Sequence, residues 1–196
     1  MNSKRSSGYI IGGIVILLGV FLIVTYNGLV KKEEQVKLQW NEVQNAYQRR
    51  IDLIPNLVNV VKGQANFEQA TLQQLTEARA KATAVTVSSS EVNADKFKEQ
   101  MSAQDGLAAA TNRLLITVEK YPELQGAAAF KGLQTQLEGT ERRIKVARKD
   151  FNDAIQDYNS SVRSFPTKLV AGVLGFKARE GFQSDAGAER AVEIKF

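Results

Sequence analysis

The 196-residue chain contains neither histidine nor cysteine. Disulfides, Cys/His zinc sites, thiolate nucleophiles and every catalytic arrangement built on an imidazole base are therefore excluded. It has only three prolines and one tryptophan, against long runs rich in Ala, Gln, Glu, Lys and Leu, a balance that favours helix over sheet. The phosphate-cradling loop of nucleotide hydrolases, the glycine fingerprint of dinucleotide-binding domains and the acidic calcium loop are all absent. No cofactor or metal is expected. The net charge is only +5, and Lys4 and Arg5 in the N-terminal tail account for part of it. The rest is interspersed acid and base, a solvated helical surface that lacks the concentrated basic stripe of a nucleic-acid binder.

What the chain does have is a long apolar run. Residues 9–26 are almost wholly hydrophobic, and no ionisable acid or base of the Asp, Glu, Lys or Arg type occurs from Ser6 through Val30. About twenty residues rising 1.5 Å each cross a hydrocarbon core of about 30 Å, so residues 9–30 read as a transmembrane helix after a short tail, 1–8. Tyr9 and Tyr26 bracket the run as interface anchors. A cleaved signal peptide is the competing reading, but the run exceeds the usual apolar length and no small-residue cleavage site follows Val24. Gly8 and Gly12 form a weak small-residue spacing on which two spans could pack. Counting basic residues on either side, Lys4 and Arg5 against Lys31, Lys32, Lys37, Arg49 and Arg50, leans towards a cytoplasmic body.

From Val36 onwards apolar residues recur at three- and four-residue steps through Trp40, Val43, Tyr47, Ile51, Ile54, Val58, Val61, Ala65, Leu72 and Leu75. This is the stripe of an amphipathic helix. Pro55 falls inside it, where it removes the hydrogen bond to the carbonyl of Ile51. A kinked continuous helix is preferred, with Asp52 as the cap of a new helix as the alternative. Thr86–Glu91 reads as a loop, with Ser90 placed to cap a helix that ends at Tyr121-Pro122. A heptad-like stripe then runs through Leu133, Leu137, Thr140, Ile144, Ala147, Phe151, Ile155 or Ala154, Tyr158, Val162 and Phe165, closed by Pro166. The expected fold is all-α: an N-terminal transmembrane helix followed by an antiparallel bundle of three or four long helices over residues 31–166. The tail, 167–196, is apolar at first and too short to span. It is expected to pack on the bundle, the membrane or a neighbouring subunit.

The run Arg50-Ile-Asp-Leu-Ile-Pro-Asn-Leu-Val58, followed by Val61-Lys62-Gly63, strongly resembles the LemA family of bacterial membrane proteins. Further landmarks fall in the family order: Tyr26-Asn27, Trp40, Tyr121-Pro122-Glu123-Leu124, Leu137-Glu138-Gly139-Thr140-Glu141, Ala147-Arg148, Phe151-Asn152, Tyr158-Asn159 and Phe165-Pro166. Two positions depart from it, Phe151 and Gly181-Phe182, where a tyrosine-bearing version of the pattern is expected. The resemblance implies a single-pass protein of the bacterial cytoplasmic membrane with a helical bundle as its body. It brings no active-site residues, because the family has no established reaction.

The remaining chemistry is thin. Acids are interleaved with Lys, Arg and Gln rather than paired in an apolar cleft, so ion pairs on helix faces explain them better than acid–base catalysis does. The first reading is a non-catalytic membrane-anchored scaffold or adaptor, with the lipid bilayer, further copies of itself and unidentified membrane proteins as partners. The alternative is a ligand-sensing module hinged at Asp52 to Pro55, with Arg49, Arg50, Asp52, Pro55 and Asn56 as the candidate motif.

Overall fold

The computed structural model describes residues 3–63, 67–85 and 94–182. Side chains of residues 3–9 and 94 lie outside that description, and so do the expected loop at Thr86–Glu91 with its cap Ser90, the side chain of Tyr9 and tail residues 183–196. The protein is all-α. The described residues are 88% helical, with six helices and no strand. These are α1 (Ser3–Lys62), α2 (Gln69–Ala84), α3 (Ala94–Val118), α4 (Pro122–Gly126), α5 (Ala128–Arg163) and α6 (Thr167–Leu174). The chain divides into two compact units, one made of Met1–Val36 with Phe151–Phe196 and the other of Lys37–Asp150, and α1 and α5 contribute to both.

In the second unit four helices run alternately up and down. Phe67 packs on Tyr121 and Gln74 accepts a bond from Arg113, so α2 descends beside α3. Tyr47 meets Arg148 and Arg50 meets Glu141, so α5 descends beside α1. The core gathers Ile54, Leu57 and Val61 of α1, Leu72 and Leu75 of α2, Leu107 and Leu114 of α3, and Phe130 and Leu137 of α5. The choice between three and four helices is thereby resolved as four, together with the short α4.

The reversal that makes the fourth helix is not at Pro55. Helix α1 passes through Pro55 and ends at Lys62. Leu72 and Leu75, which continue its stripe in sequence, belong to the separate helix α2, and both are buried. A three- and four-residue periodicity cannot report this break, because apolar spacing is the same in one long helix and in two that share a core. Phe67, just before α2, and Leu72 in its first turns are both in the core, as in a hydrophobic staple.

Pro55 leaves Ile51 without its i+4 donor, and α2 supplies a replacement: Nε of Arg79 donates to the Ile51 carbonyl at 3.2 Å. The position at which the chain breaks the helical ladder becomes a docking point for its neighbour. Tyr121-Pro122 behaves as expected, with α3 ending at Val118 and Pro122 opening α4 at a position where a missing N–H costs nothing.

The first unit contains the apolar half of α1, the last three turns of α5, helix α6 and the segment after it. Residues 10–24 are exposed along almost their whole length, with Ile16, Leu17, Ile23 and Val24 each showing more than half of their surface. This is one helix long and apolar enough to cross a membrane. The stripe of α5 is buried through Phe151, Ile155, Tyr158 and Val162 but stops short of Phe165, which is 82% exposed. Helix α6 ends on Gly175, whose φ of 81° is a left-handed value open to glycine at little cost.

Candidate functional site

The residues of the motif around Pro55 face two ways. Arg49, Asp52 and Asn56 face outwards and share an open groove of about 350 Å³ with Asn45, Gln48 and Gln136. Asp52 lies inside α1 and accepts a bond from Gln48 Nε2 at 2.7 Å, so it caps no helix start. Pro55 is half-buried, and Arg50 turns the other way, into the bundle.

Arg50 is 2% exposed. Its Nε and Nη2 form a fork on the two carboxylate oxygens of Glu141 in α5, at 2.7 and 2.5 Å, while Nη1 donates to the backbone carbonyl of Gln104 in α3 at 2.9 Å. Three helices are thus joined by one guanidinium, whose planar geometry suits a carboxylate fork. One turn earlier, Nε of Arg148 donates to the Tyr47 hydroxyl at 2.9 Å and its Nη2 to Asp105 at 2.8 Å. The Arg148 guanidinium also lies 5.5 Å from the Tyr47 ring centre. Gln44 and Gln100 exchange two amide bonds across α1 and α3, at 2.9 and 2.7 Å. Burial pushes the Tyr47 phenol above its ordinary pKa, against the lowering pull of Arg148. This belt of polar groups fixes helix register, because sliding any of the three helices by a turn would strand a buried charge.

A second constellation lies in the first unit, where the segment after α6 folds back along α5. Asn159 Oδ1 accepts from the backbone N–H of Arg179 and its Nδ2 donates to the carbonyl of the same residue, both at 2.8 Å. Asn152 repeats the arrangement on Phe182, at 2.8 and 3.0 Å. The residue before each asparagine takes the side chain: Arg179 lies 5.7 Å from the Tyr158 ring centre, and the rings of Phe182 and Phe151 are 5.6 Å apart. Arg179 also pairs with Glu33 of α1. The spacing explains the repeat. Seven residues of helix advance about 10.5 Å and three residues of extended chain about 10 Å, so aromatic-Asn steps seven apart on α5 meet strap residues three apart. Gly181 permits the approach, since a Cβ there would stand 2.6 Å from Asn152 Oδ1.

These asparagines were legible only as weak aromatic-Asn landmarks. The signal that could have marked them is their shared seven-residue spacing beside a tail carrying Gly181-Phe182. The two departures noted in the sequence, Phe151 and Phe182, turn out to face one another. Tyr26, the other expected interface residue, is partly exposed and packs edge-on against Phe176 with ring centres 5.9 Å apart. Among the described residues, no group of three acids is placed to hold a metal ion.

The match to the LemA family covers residues 39–196, from α1 through the clamp and beyond. The chain belongs to the LemA family. Its relatives include magnetosome protein MamQ 2 of Paramagnetospirillum magneticum, 26% identical over 87% of this chain and 69% of the relative. MamQ of Magnetospirillum gryphiswaldense is 25% identical with the same coverage. Protein LemA of Metamycoplasma hominis is 24% identical over 80% of this chain and 69% of its own length. The LemA landmarks Arg50, Glu141, Arg148, Asn152 and Asn159 are thus the residues that carry the cross-helix bonds and the clamp.

Proposed function

We propose that this LemA-family protein is a single-pass, membrane-anchored helical scaffold or adaptor that works through its surfaces and carries out no bond-making reaction. The observation that carries this reading is the contrast between the two ends of α1. Residues 10–24 present apolar side chains on every face, as a lipid-facing helix must, whereas from Val36 the same helix buries only one stripe. The charged groups drawn into the bundle are committed to joining helices: Arg50 to Glu141 and Gln104, Arg148 to Tyr47 and Asp105. The names of the relatives specify no reaction, which agrees with this. The bacterial cytoplasmic membrane is the proposed location, with the body on the cytoplasmic side as the basic-residue balance favours. Copies confined to one membrane meet at high effective concentration, so weak contacts between them suffice for assembly.

The test uses the full-length chain in its native membrane. Alkaline extraction should leave it in the pellet, and a cysteine introduced at Ser7 should face the opposite compartment from one at Asn45. Crosslinking in the membrane and particle size in mild detergent should reveal species larger than one chain. Release by alkali overturns the anchor, and a monomer under every condition overturns self-assembly.

A further inference from the structure

The α5 stripe ends on an exposed Phe165, and α6 continues the exposure. Leu169 is 64% and Val173 87% exposed, while Val170 and Ala171 on its other face are buried. Phe165, Leu169 and Val173 follow one another at four-residue steps, and Leu174 adds to the patch. Among the described residues nothing covers this apolar face. Its height along α1 is set by contacts within the same unit. Lys32 pairs with Asp157 at 2.8 Å, and α5 descends antiparallel for six further residues to Arg163, a rise of about 9 Å that ends level with Tyr26. Phe176, two residues beyond α6, packs on Tyr26 itself. Helix α6 therefore lies beside the boundary at which the exposed apolar run of α1 gives way to charged residues.

We propose that α6 is an interfacial helix, held by the two asparagine clamps so that Phe165, Leu169 and Val173 enter the headgroup and upper acyl region of the bilayer that α1 crosses. This rests on the membrane reading of α1 given above. Lipid is favoured as the occupant by continuity, since the patch adjoins a surface already facing lipid, and by charge. Arg163, Lys168 and Lys177 are exposed around α6, and no acid occurs from Ser160 through Arg179, which suits anionic headgroups. The protein would then hold the membrane at two points, the span and a surface helix beside it, which restricts its tilt and rotation more than a lone span does.

The absence of natural cysteine makes the test direct. The full-length protein is reconstituted into vesicles of phosphatidylcholine and phosphatidylglycerol with a single cysteine at Val173, Leu17 or Lys131, each labelled with an environment-sensitive fluorophore. Lipids brominated near the headgroup should quench the Val173 label at least about twofold more than the Lys131 label, and deep bromines should quench Leu17 best. An unquenched Val173 label beside a quenched Leu17 label overturns the interfacial helix and leaves the anchor standing. A Val173 label that is blue-shifted but unquenched by lipid shows a second protein surface covering α6, and equally overturns it. If Leu17 is also unquenched, the membrane reading fails and the proposal fails with it.

Discussion

The bond from Arg79 to Ile51 allows a test of how the bundle accommodates a proline. Pro55 has no N–H, so the Ile51 carbonyl, on a residue 5% exposed, relies on a donor from α2. Removing a charged donor from a buried acceptor costs about 1.5 to 3 kcal/mol, and the partial exposure of Arg79 places Arg79→Ala near the lower end, about 1.5 kcal/mol. With about 3 °C lost per kcal/mol for a chain of this length, the melting temperature should fall by about 5 °C. In a Pro55→Ala background the regained N–H of residue 55 can reach Ile51, so the same Arg79→Ala change should cost less than about 0.5 kcal/mol. The assay is thermal unfolding of the full-length protein in mild detergent, followed by the fluorescence of Trp40, which is buried against Phe97. Equal losses from Arg79→Ala in the two backgrounds would refute the reasoning and show that Arg79 contributes by packing alone.

Three further expectations follow from the same geometry. Glu141→Ala should destabilise by about 2 to 3 kcal/mol because it leaves the Arg50 cation buried, whereas Arg50→Met should cost about 1 kcal/mol or less, because Glu141 is partly exposed and returns to water; the same melting assay checks the order. Asn159→Asp keeps the acceptor for the Arg179 N–H but sets a carboxylate against the Arg179 carbonyl, and Gly181→Ala drives a methyl into Asn152. Each should speed amide exchange and proteolysis between residues 176 and 182 while leaving the Trp40 signal unchanged. The folded pKa of Tyr47 is raised above its unfolded value of about 10, so its contribution is fully present below that pH and lost as pH rises through the folded value. Alkaline unfolding of Tyr47→Phe should therefore begin at higher pH than in the parent, once its lower starting stability is allowed for, and identical pH profiles would contradict the burial argument.

Some of this protein follows from sequence alone. An apolar run lacking ionisable groups needs only its length to specify a span-sized helix, and the heptad stripe of α5 specifies which of its faces is buried, because both are local periodicities of a single helix. The family landmarks were legible for the same reason, as short strings. The tertiary structure decided what local patterns cannot carry: that the stripe from Val36 to Leu75 belongs to two antiparallel helices, that Arg50 turns inwards while Arg49 beside it stays in water, and that Asn152 and Asn159 hold backbone 20 to 30 residues away. A side chain's partner depends on which helix arrives opposite it, and that arrival is set by the packing of the whole unit. The exposure of Phe165 is the clearest case. Its spacing is that of a core residue, but α5 ends at Arg163 and Phe165 stands in the turn that follows, where the helical phase that would bring it to the buried face no longer holds.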